Sequence, residues 1–392
     1  MPEDGSLPAS ALQNISTTPF SLYIHVPFCR TRCGYCDFNT YTASELPGMS
    51  TSSYVTGILE ELRLARRVLG DDVPPVSTVF FGGGTPTLLP SQQLTSLLAA
   101  VRQEFGLTSD AEITTEANPD TVTPDYFEAL KKAGFTRISL GLQSVVPHVL
   151  QVLERVHTPD RGLDAAAWAH QAGFEHISLD LIYGTPGEST EDWIRSLEAV
   201  AATPVDHVSA YSLIVEPGTR LALQVRRGEV PMPDDDVLAD KYLLTEEFLI
   251  GSGFSNYEIS NWAMNPDARC RHNLAYWRGA NWWGIGPGAH SHIGGVRFWN
   301  RKHPRSWSAE LGQGKSPAQA GEQLSQQDAR LERVLLELRL ADGLPLDVLT
   351  NSERARVAEV VEAGLANVAE DRLVLTLQGR LLADGVVRDL LD

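Results

Sequence analysis

Residues 25–38 read HVPFCRTRCGYCDF, which places Cys29, Cys33 and Cys36 at i, i+4 and i+7. The run just before them, SLYIHV at Ser21–Val26, is rich in aromatic and β-branched residues, so the thiols occupy the loop that leaves a first strand. Three thiolates so spaced can hold three corners of a cubane iron–sulfur cluster and leave the fourth iron open. Zinc asks for a closed four-ligand shell, and no fourth Cys or His stands at knuckle spacing. A zinc-binding scaffold and a chance cluster of buried thiols remain as alternatives. His25 reads as a core residue or one that supports the loop from behind.

Working outward from that loop, β-rich runs alternate with helix-period segments, the pattern of βα units around a parallel sheet. Strands are expected at Ser21–Val26, Ser77–Gly82, Ala111–Ala117, Arg137–Leu142, His176–Gly184 and His207–Leu213. Helices are expected at Ser53–Leu69, Pro124–Ala133, Asp160–Ala172 and Thr190–Ala201, with another whose Leu94, Leu97, Leu98, Val101 and Phe105 share one face. The fold class is therefore α/β, an incomplete (βα)6 barrel over 21–230 behind a polar lead at 1–20. Residues 231–311 form an extension that opens with a helix at Asp235–Ile250 and continues through a Gly-, Trp- and His-rich stretch. The segment 312–326, rich in Gly, Gln, Ser and Ala, reads as a linker. Residues 327–392 then give helix, turn, helix, a hairpin around Asp371–Thr376 and a last helix, the order of a small winged-helix module. Its 8 basic and 12 acidic side chains from 330 onward suit docking better than DNA.

The full chain of 392 residues is long enough for two to three domains. Its net charge of −18 argues against a nucleic-acid partner, which would ask for a basic surface. No apolar run approaches the ~18 residues of a membrane span. Four cysteines are too few for a disulfide scaffold, and the first twenty residues lack a basic and then apolar leader, so the expected location is the reducing cytoplasm.

Polar residues recur at the ends of the expected strands, on the face where the Cys loop must also open. Strand two ends in FFGGGTP with Gly83, Gly84 and Thr85; strand three carries Glu116, strand four ends at Gln143, and strand five carries Asp180, while Arg155 lies in LERVHT. Bare glycine backbone admits a close ligand, an arginine suits a carboxylate, and Gln143 with Asp180 suit hydroxyl groups.

The Cys-x3-Cys-x2-Cys spacing, with Tyr35 before the last cysteine, resembles the radical S-adenosylmethionine superfamily. The stretches YIHVPFCRTRCGYCDF, FFGGGTPTLL, SLGLQS, DLIYGTPGE, YSLIVEPGT, YEISNWA and CRHNLAYW together resemble its HemN/HemW group over residues 20–305. The resemblance implies a radical-SAM barrel and a [4Fe–4S] cluster on Cys29, Cys33 and Cys36, whose open iron chelates S-adenosylmethionine. An electron from the cluster, supplied by a donor protein, then cleaves the sulfonium to a 5′-deoxyadenosyl radical. It further implies Tyr23, Tyr35, Gly83, Gly84, Thr85, Glu116, Gln143, Arg155 and Asp180 around the cofactor.

Within the group, the oxygen-independent coproporphyrinogen III dehydrogenases carry a further cysteine two residues past the cluster, where this chain has Phe38, and a longer N-terminal extension. Both departures favour the HemW-type haem chaperones, which bind haem and pass it to an acceptor haemoprotein such as a respiratory cytochrome, over a radical enzyme acting on a porphyrin precursor or a methyltransferase. HNLAYW at 272–277 resembles the HNxxYW motif of the chaperones and implies His272 at the haem; read alone, His272 is more simply a hydrogen-bonded core residue. From Arg269 to Arg305 there are seven basic residues and no acidic ones, with four tryptophans and four histidines. That island suits a flat, dianionic, iron-bearing ligand, or a basic face that docks on the acidic barrel. Cys270 reads as a small buried residue.

Overall fold

In the computed structural model, which describes residues 1–155 and 159–391, six parallel strands follow one another around a curved sheet. These are β1 (Phe20–Val26), β2 (Val76–Gly83), β3 (Leu107–Ala117), β4 (Arg137–Gln143), β5 (His176–Tyr183) and β6 (His207–Ser212). Strand β1 is buried along nearly its whole length, as expected of a parallel strand with both faces covered. The predicted helical face is borne out: Leu94, Leu97, Leu98, Val101 and Phe105 are all buried on the helix Ser91–Phe105. Serine and threonine caps start three of the other helices: Ser50 and Ser189 form capping boxes and Thr123 accepts from Tyr126 N–H.

Side chains that point inward alternate with those that face the helices. Register aligns Ser21 with Thr78, Thr78 with Glu112, Ser139 with Ser178, and Ser178 with His207. The barrel interior is consequently a polar column that rises from a base to the strand ends.

The extension adds strands that its weak periodicity concealed. On one side β6 pairs antiparallel with β8 (Asn261–Ala263), which pairs with β7 (Ser255–Glu258). On the other side β9 (Asn281–Ile285) runs parallel to β1, followed by β10 (His290–Ile293), β11 (Val296–Asn300) and β12 (Ala318–Gln323). The stretch read as a linker thus holds an edge strand: Gly321 lies opposite Phe298, and a Cβ there would meet Arg297 O at 2.9 Å, so its small residues fit a crowded pairing. The polar lead also packs, with Ala11 and Ile15 buried and Ser316 N–H donating to Glu3 O at 2.7 Å.

Residues 326–391 form a separate small core around Val334, Leu338, Leu344, Leu373, Val386 and Leu390. A three-stranded antiparallel sheet, β13 (Leu344–Pro345), β14 (Ala366–Ala369) and β15 (Arg372–Leu375), packs there against the helices Gln326–Glu337, Asn351–Glu362 and Ala383–Leu391. The hairpin starts earlier than expected because Glu370 and Asp371, both at positive φ, make its turn. Among the described residues no helix is long and apolar enough to cross a membrane.

Candidate functional site

The cysteine loop is held at both ends. Cys29 N–H donates to Tyr41 O at 2.9 Å and Tyr41 N–H to Pro27 O at 2.7 Å. From below, His25 Nε2 lies 2.9 Å from Asn39 O. Asn39 in turn donates its amide to Pro287 O and Lys302 O at 3.0 and 2.8 Å, so the extension anchors the loop.

Beside it the glycines of β2 make a close crossing. Gly84 N–H donates to Val26 O at 2.8 Å and Thr85 N–H to Phe28 O at 2.7 Å. A Cβ on Gly84 would stand 2.5 Å from Phe28 O, and one on Gly83, at φ 109°, 2.5 Å from the His25 ring. Only glycine fits both positions.

Across the cavity, Gly83 N–H donates to Glu116 Oε2 at 3.0 Å, and Ser139 Oγ lies 3.0 and 2.9 Å from the two Asp180 carboxylate oxygens. Arg155 reaches in from the far wall: Nη2 donates to Gly141 O at 2.6 Å and Nη1 lies 3.6 Å from Cys33 Sγ. Its Nε is buried with no partner among the described residues, a donor left for a ligand. Gln143 sits at φ 67° after an irregularity in β4. The residues of LERVHT beyond Arg155 lie outside the described residues.

These elements enclose a cavity of about 560 Å³ at the C-terminal ends of the strands. Cys29, Cys33, Cys36, Tyr35, Gly83, Gly84, Thr85, Glu116, Gln143, Arg155 and Asp180 all line it. Burial, reinforced by Asp180, pushes Glu116 up to about 8, and burial also raises Asp180. Burial raises Cys36 to about 11, so its thiolate needs a cation beside it, which iron would supply. Among the described residues no group of three or more His, Cys, Asp or Glu side chains is disposed around a single ion; a cubane instead binds each cysteine at a different iron. The loop thiols, the glycine crossing and the free Arg155 Nε fit a cluster with an amino-acid-bearing nucleoside next to it.

Two expected residues lie elsewhere. Tyr23 is below the cavity, its hydroxyl 3.1 Å from His25 Nδ1 and its ring stacked near Phe80. His272 is at the barrel base, 1% exposed, on the short helix Arg271–Trp277. Its Nδ1 lies 2.6 Å from Thr78 Oγ1, its Nε2 2.9 Å from Tyr276 OH, and its ring stacks on Phe80. Burial pushes it down to about 4, so it is a neutral, hydrogen-bonded core residue in this conformation.

The basic island is mostly spoken for. Arg269 and Arg278 pair with Asp342, Arg271 with Asp110, Arg297 with Glu322 and Glu332, and Arg301 with Glu310. Of these partners only Asp110 belongs to the barrel; Glu310 and Glu322 lie on the neighbouring helix and edge strand, and Asp342 and Glu332 in the C-terminal module, so the island's charge is shared among several neighbours rather than docked on the barrel alone.

The sequence reading missed Ser139, the clamp on Asp180, although it shares strand parity with Gln143. It also assigned no role to Tyr211, Ile214, Ile259 and Ser260, which line the cavity from YSLIVEPGT and YEISNWA. Phe38 and Ile214, 60% and 63% exposed, stand with Tyr211 on the lining as an apolar rim.

Comparison with known proteins shows the family. The Radical SAM superfamily profile matches residues 23–200. A Mycobacterium tuberculosis protein named "Heme chaperone HemW" is 53% identical over 373 residues, covering 95% of each chain. Its Bacillus subtilis namesake is 33% identical over 93% of this chain and 97% of its own. The solved structure of Escherichia coli coproporphyrinogen III oxidase (HemN) shares the fold, with a TM-score of 0.80 at 24% identity over 99% of this chain and 94% of that one. On the cysteine loop, the barrel and this likeness along nearly its whole length, the chain belongs to the HemW family of the Radical SAM superfamily.

Proposed function

We propose that this protein is a haem chaperone that holds a [4Fe–4S] cluster and S-adenosylmethionine in the barrel cavity, binds haem, and delivers it to an acceptor haemoprotein. The observation that carries the proposal is the likeness, over nearly the full chain, to proteins named for that role. It is joined by Phe38, which occupies the place of the further cysteine expected of the dehydrogenases.

In this reading Cys29, Cys33 and Cys36 hold the cluster, and Arg155, with its free Nε and its Nη1 at Cys33, offsets negative charge beside it. Gly83, Gly84 and Thr85 let a methionyl group approach the backbone, while Gln143 and Asp180 face hydroxyl groups. When bound, the cluster supplies low-potential electron chemistry at the sulfonium. The free thiols favour a reducing compartment, the cytoplasm, with an electron-donor protein and a haemoprotein such as a respiratory cytochrome as partners.

His272 is the proposed iron ligand, and its geometry states the condition: Nε2 has to leave Tyr276 before it can reach iron. Anaerobically reconstituted protein is expected to give a saturable Soret shift with haem and to leave coproporphyrinogen III unchanged. Appreciable protoporphyrinogen formation overturns the chaperone reading in favour of a radical enzyme. A Soret response that is the same in His272→Ala removes that residue as ligand.

A further inference from the structure

We propose that a one-way chain of hydrogen bonds, rising from the backbone of Cys270 at the barrel base, aims Asp180 at the hydroxyl groups of the cavity's ligand, with Tyr257 and His207 as its positioning residues. The inference rests on the reading that this ligand carries a ribose.

The direction of the chain follows from its two ends. The Cys270 N–H can only donate, and it meets Tyr257 OH at 3.2 Å. The Tyr257 hydroxyl proton is then free to point at His207 Nε2, 2.8 Å away. In this direction that nitrogen accepts and the ring carries its proton on Nδ1, which lies 2.8 Å from Ser178 Oγ. Ser178 passes its own proton to Asp180 Oδ1 at 3.3 Å, with Ser209 as a more distant neighbour at 3.4 Å. A carboxylate only accepts, so the chain ends there. With Ser178 donating to the carboxylate, this direction lets every contact of the chain carry a proton; the reverse, with His207 Nε2–H on the second lone pair of Tyr257 OH, turns the Ser178 proton to Nδ1 and away from Asp180.

The surroundings keep it in place. Cys270, Tyr257, His207 and Ser178 are all buried, away from competing water. Burial, with Arg137 and His176 nearby, keeps His207 neutral, as the chain requires. Tyr257 O also accepts from Ala341 N–H at 3.0 Å, so the C-terminal module braces the tyrosine. At the far end Ser139 reaches both Asp180 oxygens, Ser209 also bonds the carboxylate, and Ser178 adds a further donor that helps hold it near Glu116.

Removing the Tyr257 hydroxyl releases this constraint. His207 can then protonate Nε2, and Ser178 can turn its proton from Asp180 to Nδ1. Tyr257→Phe is therefore expected to weaken S-adenosylmethionine binding about tenfold, the scale of a lost hydrogen bond to a charged group. An analogue without ribose hydroxyls should bind wild type and variant alike.

The test uses the full chain, reconstituted with its cluster. Histidine-selective ¹⁵N NMR, with His207→Gln to identify the signal, is expected to show His207 as the Nδ1–H tautomer and to lose that form in Tyr257→Phe. Equilibrium dialysis is expected to show the tenfold loss in Tyr257→Phe and in Ser178→Ala, the second variant covering a failure of the first to fold. Neither change should weaken binding further in an Asp180→Ala background. An Nε2–H tautomer in the wild type, or losses that simply add to Asp180→Ala, overturns the proposal. If the wild type does not bind S-adenosylmethionine, the reading of the cavity fails, while the tautomer still decides whether the chain exists.

Discussion

The two ends of the barrel are built from the same alternating strand positions, yet they treat polar groups in opposite ways. At the base, Glu112 accepts from Arg137 Nε at 3.2 Å and from the backbone of Arg271 and His272 at 3.1 and 3.0 Å, so one carboxylate is consumed by the protein. At the cavity end, Glu116 takes one backbone donor, Arg155 keeps a buried Nε without a partner, and three thiols line an open space. The base spends most of its polar groups on folding, with Arg137 Nη1 left buried and unpartnered among the described residues, while the cavity end leaves thiols and a guanidinium facing an open space. Apart from His272, the proposed haem ligand, substitutions at the base should therefore act on stability, and those at the cavity on what is bound.

The largest contrast is expected from Cys33→Ala, which should abolish the visible absorption of the reconstituted cluster while the thermal melt of the unreconstituted protein stays within a few degrees of wild type. A retained cluster chromophore would refute the ligand assignment. Next, Glu112→Gln leaves Arg137 as a buried charge without its partner and should cost about 3–5 kcal/mol in denaturant unfolding. The folded fraction should still take up cluster; a loss below about 1 kcal/mol would mean that the base is not held as described.

A smaller effect separates the ends by pH. Glu116 lies at about 8 against an ordinary 4.5, so the folded state holds the extra proton and stability falls as pH rises through that window. His272 lies at about 4 against 6.5, so the unfolded chain holds the extra proton and stability falls as pH drops from 6.5 to 4. Each slope is at most about 1.4 kcal/mol per pH unit. Between 4.5 and 6.5 the two slopes oppose each other, so Glu116→Gln should remove the decline from about 6.5 to 8 and steepen the acid decline below 6.5, whereas His272→Gln should let the Glu116 decline begin near 4.5, read from unfolding midpoints across the range. The same response in both variants would erase the distinction between the ends. Least of all, Arg220→Ala on the rim, whose exposed side chain pairs with Glu154 at 3.0 Å, should change stability by less than about 1 kcal/mol.

The barrel was legible because parallel strands covered on both faces read as apolar runs between helix-period segments, as Ile24 and Val26 do around His25. The cavity residues were legible because strand ends carry them in order: Glu116, Gln143 and Asp180 needed only the rule that parallel strands open on one face. Ser139 escaped, although counting by twos back from Gln143 reaches it. The strands β9 to β11 escaped because each has only four or five residues, yet Gly294–Gly295 between HSHI and VRFWN is a two-residue hairpin signal, with Ile293 opposite Val296. The basic island misled for another reason: charge counted along the chain says nothing of Asp110 or Asp342, which meet its arginines only through the fold.

The most direct test of the account is a transfer experiment. Reconstituted protein loaded with isotopically labelled haem is incubated anaerobically with an apo-cytochrome, the two are separated, and the label is followed. The account predicts that the label moves to the cytochrome, faster than from free haem controlled for concentration, and that cluster-free Cys33→Ala protein differs from wild type in this transfer. Label that stays on the protein, or transfer no faster than from free haem, would contradict it.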